Sequence, residues 1–410
     1  MAFGICLVFE LAADIHITKD VIQVPIELSK LLDNCPVYLI TRPNSCQKKI
    51  SEYVNIIYLG ESIALNDNSF ETETLENSIF SPTWYQEACK LAAKYADILM
   101  LFPHFGNPTK GAIVFRLQNL LRRNLSSVYL KLDADPRGFE QSIHAEHTYT
   151  SSLKKFKNKI KATVQYFNNW LKYLPITAIS AESSFTLEMF TRSYSFVKNK
   201  IFLVKNCLPQ KELVNLPDRD RLINNKKSVF LAIGRLSEFG KATEILLTAW
   251  IAFTSQYSSW KLQLVGSCDP DFQEMWIKKL QEANSEHTVE WLGAVYDRKR
   301  IWEIYGQSSI LVIPSRHESG PMTFVEAIVS GCAVISTPVG EVPYVLGNNN
   351  QGIFPIDDVE SLTRVMIKFA TDDSVRRKQL ESLAGEVKSR QWHIQMKPVA
   401  EKIKSKATLF

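Results

Sequence analysis

Two carboxylates, Glu318 and Glu326, lie on either side of a sequence that favours the start of a helix. The apolar run 308–314 before them predicts a buried strand. The Ser-Gly pair in front of Pro321 can cap a helix, and a proline suits the first helical turn. Because the first N–H groups of a helix have no partner within it, and because its dipole attracts negative charge, this segment predicts an anion site.

A nucleotide is an anion that would account for both carboxylates. Glu326 has no basic residue at helical spacing, and Arg316 is the nearest base in the sequence. A carboxylate at this position can accept hydrogen bonds from two ribose hydroxyls, while Glu318 faces the sugar. In the alternative interpretation the segment is an ordinary βαβ unit, with Glu318 at the helix cap and Glu326 in solvent.

Two cations, Arg235 and Lys241, follow another predicted strand, 228–234. In parallel α/β sheets, ligands bind at the carboxyl ends of the strands. An arginine can hold two phosphate oxygens at once and a lysine supplies a point charge, so the pair suits a diphosphate. The alternative is that both are ordinary surface residues.

Short apolar segments alternate with longer helical segments along the chain, an order that predicts parallel sheets covered by helices. The predicted strands are 3–9, 37–41, 55–59, 98–102, 127–133, 176–180, 228–234, 260–266, 288–293, 308–314 and 332–338. The predicted helices include 21–32, 82–95, 110–124, 241–257, 270–283, 297–306, 321–330 and 359–370. The polar, proline-containing segment 206–227 has no sustained period and predicts a linker, so two α/β domains are expected.

Further motifs surround the charged residues of the second half. They are Gly234-Arg235-Leu236 with Lys241, Trp291-Leu292-Gly293, Pro314-Ser315, Glu318 with Glu326-Ala327, Gly331-Cys-Ala-Val-Ile, and Gly340-Glu341-x-Pro343. Over about 200–385 the chain therefore resembles the donor domain of retaining glycosyltransferases of family 4. The resemblance implies the GT-B fold, an α/β fold with two Rossmann-like domains facing a cleft. It implies an acceptor domain over 1–205, a nucleotide-sugar donor domain over 206–385, and a tail near 386–410 that can pack back on the first domain.

The resemblance also implies roles for residues. In the family, the Arg and Lys bind the diphosphate, the second Glu holds the ribose, and the Leu-Gly backbone borders the base. The implied catalytic residues are Arg235, Lys241, Glu318 and Asp133. The implied donor-binding residues are Gly293, Ala294, Val295, Ser319, Gly320, Met322, Thr323 and Glu326. Two positions depart from the family pattern: Pro321, which has no N–H, and Ala242 both stand where glycine is usual.

The first half matches the family less well. Where many members have a Gly-Gly loop after the first strand, this chain has a polar cluster of Asp14, His16 and Lys19. These three residues are candidates for acceptor binding. The alternative is that they cap the helix predicted at 21–32.

Asp133 stands at a predicted strand end, where the family usually has a histidine near the reacting sugar. Asp135, which suits a turn, and His104 are further candidates for acceptor binding. Asp133-Ala-Asp135 also resembles the Asp-x-Asp metal motif of GT-A, the other glycosyltransferase architecture. Because that alternative leaves Arg235 and Glu326 unexplained, no metal is expected.

The segment 151–175 contains six lysines and no acidic residue. Its apolar residues recur at helical spacing, and a basic amphipathic helix suits an anionic membrane surface. The alternative is a solvated lysine face over a packed apolar stripe.

Composition limits the function classes. A net charge of +5 over 410 residues is too small for a general nucleic-acid-binding protein, so no nucleic-acid partner is expected. The chain has no apolar run of about 18 residues, and its first residues predict a buried strand rather than a signal peptide. Seven cysteines without a Cys-x-x-Cys pair predict buried thiols in a reducing cytoplasm. We expect a cytoplasmic protein that can lie peripherally at the inner face of the membrane.

The resulting expectation is a metal-independent hexosyltransferase that retains the anomeric configuration. Its donor would be a nucleotide diphosphate sugar, with no further cofactor, and its acceptor a glycan or lipid-linked hydroxyl in bacterial surface-polysaccharide or glycolipid synthesis. One alternative is a sugar-nucleotide epimerase of the same fold, which needs no acceptor. Another is a non-catalytic partner subunit, which the altered amino-terminal loop would fit.

Overall fold

The chain divides into two units, residues 1–205 with 392–410 and residues 206–391. This computed structural model describes residues 4–62, 82–102, 108–122, 125–132, 170–214, 219–237, 239–347 and 351–407. Among these residues, no helix is both long and apolar enough to cross a bilayer.

Strands form one sheet in each unit. In the first unit they are β1 Ile5–Val8, β2 Val37–Thr41, β3 Asn55–Tyr58, β4 Ile98–Leu101, β5 Ser127–Leu132, β6 Ala178–Ala181 and β7 Ile201–Leu203. In the second they are β8 Lys227–Ile233, β9 Lys261–Val265, β10 Val289–Gly293, β11 Ser308–Ile313 and β12 Ala333–Ser336. The strand orders are β3-β2-β1-β4-β5-β6-β7 and β10-β9-β8-β11-β12, and every pairing is parallel.

Helices connect the strands, and further helices follow the last strand. They are α1 Asp20–Leu31, α2 Pro82–Ala92, α3 Pro108–Leu121, α4 Ser184–Ser193, α5 Gln210–Val214, α6 Arg219–Asn224, α7 Thr243–Thr254, α8 Pro270–Glu282, α9 Arg298–Gln307, α10 Met322–Val329, α11 Val342–Leu346, α12 Val359–Thr371, α13 Asp373–Ser382, α14 Ala384–Ser389, α15 Trp392–Gln395 and α16 Lys397–Ala407. The last two belong to the first unit, where both contact α1 and α16 also packs on β6.

The apolar strand segments follow from this architecture. A parallel sheet with helices on both faces buries its strands on both sides, so the strands read as continuous apolar runs. Every residue of β1, β4 and β11 is buried. In the second unit, Trp250 and Phe253 of α7 lie in the core on one side of the sheet, and Phe324 of α10 lies in the core on the other.

The predicted fold class, α/β with two Rossmann-like domains, is confirmed. Strand β7 and helix α4 were not predicted, and the expected linker at 206–227 contains the short helices α5 and α6. These elements are three to ten residues long, which is too short for a periodic apolar pattern to stand out.

In each sheet the order of the strands reverses at one point, between β1 and β4 in the first and between β8 and β11 in the second. The loops that leave two such strands turn to opposite faces of the sheet. They leave a crevice at the carboxyl ends, where α/β proteins bind their ligands.

A buried ion-pair cluster stands close to the reversal in the first sheet. Lys131 of β5 has no exposed side-chain area, and its ammonium pairs with Asp20 at 2.6 Å and with Glu182. Burial acts to raise the pKa of Asp20, but the Lys131 ammonium lowers it below the ordinary value. The cluster thereby ties the first residue of α1 to the carboxyl ends of β5 and β6.

Candidate functional site

A pocket opens at the carboxyl ends of β8 and β11, where the strand order of the second sheet reverses. Its empty volume is about 350 Å³. The polar residues that line it include Arg235, Lys241, Ser315, Glu318 and Thr323. Both cations predicted from the segment after β8 and the first carboxylate predicted after β11 therefore line one pocket.

Glycine permits the close approach of the loops beside this pocket. Gly266, which follows β9, has φ +145°, and a Cβ built on it would lie 1.6 Å from the carbonyl oxygen of Gly234. Any side chain at 266 would therefore displace the backbone that carries Arg235.

Lys241 and Glu318 form an ion pair in the pocket, with Nζ 2.5 Å from Oε1. The Ser315 hydroxyl donates to the same Oε1 at 2.8 Å. The Lys241 side chain remains 35% exposed and the Glu318 side chain 16% exposed. The lysine is thus oriented by Glu318 while part of its ammonium faces the pocket.

The backbone just before α7 holds Lys241 in place. Ala242 is fully buried at φ +49°, a left-handed conformation that glycine adopts without steric cost. This conformation accounts for the glycine that is usual at this position in the resembling family. The Ser237 N–H donates to the Thr243 hydroxyl, and the Thr243 N–H donates back to the Ser237 carbonyl, which closes the loop.

Helix α10 begins at Met322, and its cap differs from the predicted one. Pro321 occupies the N-cap position and no side chain hydrogen-bonds to the helix start, so the expected cap by the Ser-Gly pair is wrong. Within the described part of the chain, the buried Ser319 hydroxyl has no hydrogen-bond partner. Because proline has no side-chain acceptor, no cap competes with a ligand for the N–H groups of Met322 and Thr323, whereas the Phe324 N–H donates to the Pro321 carbonyl at 3.1 Å.

Contacts from two other segments hold the loop in front of α10. The Asn206 side-chain amide donates to the Gly320 carbonyl at 2.8 Å. Gly340, at φ +53°, lies so close that a Cβ on it would come within 2.3 Å of the Ser319 carbonyl oxygen. The Gly340-Glu341 motif therefore packs directly beneath the predicted anion site.

Glu326 is buried, with 7% of its surface exposed, so the alternative of a solvated carboxylate is wrong. The Tyr305 hydroxyl donates to Oε2 at 2.9 Å, and Arg298 pairs with Oε1 at 2.8 Å. Arg316, the nearest base in sequence, instead pairs with Glu244 at 2.5 Å and with Asp357 at 2.7 Å.

Arg298 is itself held by a second carboxylate, Glu212, through its Nη2 at 2.6 Å and its Nε at 3.1 Å. Burial acts to lower the pKa of Arg298, but Glu326 and Glu212 raise it above the ordinary value. Burial also raises the pKa of Glu326, and Arg298 opposes that shift. The arginine therefore favours the ionised form of a carboxylate that burial alone would favour as neutral.

Sequence reasoning did not identify Arg298, Tyr305 or Glu212. The position of Arg298 in the sequence could have indicated its role. It is the first residue of helix α9, directly after the N-cap residue Asp297, and it follows closely on the segment predicted to border the nucleobase. In that segment, Gly293 has φ +65° and is exposed, as is Ala294, and Val295 is partly buried. Contact of these three residues with a donor remains a prediction.

In the first unit, the polar residues after β1 have structural partners. The Asp14 carboxylate accepts N–H hydrogen bonds from Lys48, Lys49 and Ile50, at 2.8–3.0 Å. His16 Nδ1 accepts the Ala13 N–H at 3.0 Å. Their binding to an acceptor remains a prediction.

Lys19 is the N-cap residue of α1 without a side-chain cap hydrogen bond. Its role in acceptor binding also remains a prediction. His104, Asp133, Asp135 and segment 151–169 lie outside the described residues. Within the described ranges, no three His, Cys, Asp or Glu side chains gather in a way that would hold a metal ion.

His16 predicts how the stability of the protein depends on pH. Its burial, aided by the charge of Lys19, lowers its pKa from 6.5 to about 3. Between these values the unfolded chain binds a proton at His16 that the folded chain does not, so the free energy of unfolding should fall as the pH falls. Replacing His16→Gln should flatten this dependence between pH 6.5 and 3, as measured by urea unfolding at a series of pH values. Parallel curves for the variant and the wild type would contradict the pKa assignment.

Comparison with known proteins relates the second unit to one family. Residues 217–384 match the family model described as glycosyl transferases group 1. The chain is 29% identical over 153 residues to the amylovoran biosynthesis glycosyltransferase AmsD of Erwinia amylovora, covering 36% of this chain and 40% of that protein. It is 26% identical over 139 residues to the lipopolysaccharide core biosynthesis mannosyltransferase LpcC of Rhizobium leguminosarum bv. viciae, covering 33% and 39%. The matched stretches thus span about two fifths of these curated relatives.

The fold is similar over nearly the whole chain to that of solved structures. HepE from Anabaena, solved in complex with UDP-glucose, has a TM-score of 0.62 at 14% identity, covering 98% of this chain and 99% of that one. At such identity the likeness establishes the fold, which confirms GT-B. The alternative of a GT-A architecture is therefore wrong.

Proposed function

We propose that this chain, whose residues 217–384 match the family model of glycosyl transferases group 1, is a glycosyltransferase of that family. It transfers a hexose from a nucleotide diphosphate sugar to an acceptor hydroxyl. The observation that carries the proposal is a single pocket that brings Arg235, Lys241 and Glu318 to the carboxyl ends of β8 and β11. Retention of the anomeric configuration is proposed from the resemblance to the retaining family 4.

The cations of the pocket have the geometry to receive the leaving diphosphate. Arg235 offers a planar fork of donors, and Lys241 offers the N–H groups that do not point at Glu318. The N–H groups at the start of α10 add partial positive charge. These groups stabilise the negative charge that builds on the diphosphate as the bond to the sugar breaks, without a metal ion.

Glu326 is proposed as the acceptor for the ribose hydroxyls. Each of its oxygens already takes one donor, from Arg298 and Tyr305, and a carboxylate oxygen can take a second. Two hydroxyls on neighbouring carbons fit the remaining capacity. The ion pair with Arg298 favours the ionised form of the carboxylate against the effect of burial on its pKa, and it fixes the direction of the carboxylate.

A uridine nucleotide is the first donor to test, because the similar HepE structure was solved with UDP-glucose. For the acceptor we propose a bacterial surface glycan or glycolipid, because the sequence relatives are named for amylovoran and lipopolysaccharide core biosynthesis. The first unit, with its predicted residues Asp14, His16 and Lys19, is proposed to bind that acceptor. We further propose a cytoplasmic location at the inner face of the membrane, with 151–175 as the lipid contact.

A thermal-shift screen tests the proposal. UDP, GDP and ADP are compared first, followed by the glucose and mannose derivatives of the nucleotide that stabilises most. A ligand at 100 times its dissociation constant adds about 2.7 kcal/mol to the stability of the unit that binds it. Turnover of that donor is then measured with and without glycan acceptors, in the presence of a chelator. Stabilisation by none of these nucleotides, or turnover that is independent of every acceptor, would overturn the transferase proposal.

Replacing Glu326→Gln should weaken nucleotide binding by about 10- to 100-fold, because a charged acceptor of hydroxyl hydrogen bonds is lost while its shape is kept. Isothermal titration with UDP measures the change. The same substitution at the exposed Glu303 of α9 is the control and should leave affinity unchanged.

A ligand without ribose hydroxyls makes this experiment specific. For 2′,3′-dideoxyuridine diphosphate, Glu326→Gln should cost little, because the bonds that it removes are already absent. An equal loss for both nucleotides would assign Glu326 to the fold of the pocket and not to the ribose.

A further inference from the structure

Four cationic side chains gather in the first unit, at the end of the sheet opposite to the carboxyl ends of the strands. Arg116 lies on α3, Lys200 immediately precedes β7, and Lys402 and Lys406 lie one turn apart on α16. We call these four residues the basic cluster. It belongs to a different unit from the donor pocket, and it lies at the end of its sheet opposite to the acceptor residues proposed after β1, so the proposed transfer reaction does not account for it.

Two members of the cluster meet at the same turn, residues 173–177. Arg116 donates through Nε to the Pro175 carbonyl at 2.5 Å and through Nη2 to the Thr177 hydroxyl at 2.8 Å. Lys200 donates through Nζ to the carbonyls of Tyr173 and Ile176. These bonds fix both cationic groups in position without neutralising either charge.

The other two members of the cluster, Lys402 and Lys406, lie on α16. Helix α16 packs against β6, the strand that begins directly after this turn. Burial, together with the charges of Arg116, Lys200 and Lys402, lowers the pKa of Lys406 to about 8. Burial and the charges of Arg116 and Lys402 act likewise on Lys200. Among the described residues, no carboxylate contributes to the pKa of either lysine.

Such an arrangement is unfavourable for the protein alone, because like charges repel more strongly where water is partly excluded. An anion placed among the four groups would reverse the sign of this interaction. Arginine and lysine together are the donors that proteins use for phosphate, the first as a fork and the second as a point charge. We propose that the basic cluster is a binding site for phosphate groups, separate from the donor pocket.

The surface beside the cluster is apolar. On α3, Leu117, Leu120 and Leu121 are 53%, 70% and 78% exposed, and Leu174, next to the turn that Arg116 binds, is 56% exposed. Exposed apolar side chains next to cations suit the boundary between lipid headgroups and acyl chains. The phosphate can therefore come from an anionic lipid or from a small soluble ligand, and the experiment separates these sources.

The first arm measures the melting temperature at pH 7 with inorganic pyrophosphate against sodium chloride of equal ionic strength. Pyrophosphate should raise it by about 2–4 °C in the wild type. The double variant Lys402→Gln/Lys406→Gln should lose this rise. The control is Lys404→Gln, which removes one positive charge from the same helix, at a side chain that is 50% exposed near Asp33, and it should retain the rise.

The second arm measures co-sedimentation with vesicles of phosphatidylglycerol and of phosphatidylcholine. If the wild type binds phosphatidylglycerol vesicles but not phosphatidylcholine vesicles, and the double variant loses this binding, the ligand is a lipid headgroup. A pyrophosphate shift that depends on the two lysines, without vesicle binding, supports a soluble phosphate ligand. Equal responses of the wild type and the double variant in both arms would overturn the site, and neither result depends on whether the donor pocket is active.

Discussion

Turnover of the nucleotide sugar should fall at least about 100-fold when Arg235 and Lys241 are both replaced by alanine. Removing a single well-placed donor to a developing oxyanion costs about 100- to 1000-fold in catalysed reactions, and this variant removes two. The stability of the protein should change little, because Arg235 is exposed and, among the described residues, Lys241 forms its ion pair with Glu318 at the pocket. The measurement is the rate of nucleotide release at saturating donor, beside a thermal melt of each variant.

The matched control for this experiment is Arg377→Ala/Lys378→Ala. Both residues are exposed on α13 of the same unit, and the pair removes the same two charges. The control should keep turnover within a few-fold of the wild type, because long-range effects of net charge are screened over about 8 Å at physiological salt. A comparable loss in both variants, or turnover retained in the first, would remove the diphosphate assignment.

Arg390→Met should lower the free energy of unfolding by about 3–5 kcal/mol, the cost of leaving a buried charge without its partner. Arg390 has no exposed side-chain area and pairs with Glu341 at 2.5 Å and Glu386 at 2.7 Å. It also donates to the Asn206 carbonyl at 2.8 Å. Since the Asn206 side chain in turn holds Gly320, loss of Arg390 should also loosen the start of α10.

Urea unfolding followed by tryptophan fluorescence measures this loss, because the tryptophans 250, 260, 276, 291 and 302 lie in the second unit. The double variant Arg390→Met/Glu341→Leu should recover much of the stability, since an apolar pair can replace a buried ion pair at little cost. If the double variant is no more stable than Arg390→Met, the loss comes from packing and not from the unpaired carboxylate.

The order of strands and helices could be predicted well from local pattern. A strand covered on both faces must be apolar at consecutive positions, and β2 and β11 are such runs, bounded by turn residues. That Arg235, Lys241 and Glu318 line one pocket was also predictable, because the signals for a strand end, a cation pair and a helix start are all local. The cap of α10 was not predictable, because Pro321 occupies the N-cap position and the buried Ser319 hydroxyl has no hydrogen-bond partner within the described ranges.

The partners of the charged groups could not be predicted in this way. Arg298 is 28 positions from Glu326, and Arg390 is 49 positions from Glu341, and nothing in the intervening residues indicates that either pair meets. Lys131 occupies a strand position where a polar residue argues against full burial, yet its two carboxylates make the burial tolerable.

The local sequence thus determined which residue types can do chemistry and where strands and helices end, because hydrogen bonding and periodicity act over a few residues. Which charges are buried, and which carboxylate has a partner, was decided by the tertiary structure. The physical reason is that desolvation and Coulomb interaction depend on distances between elements that are far apart in the chain. The partners of Arg298 and Arg390, and the gathering of the basic cluster from α3, the residue before β7, and α16, were all decided by the tertiary structure.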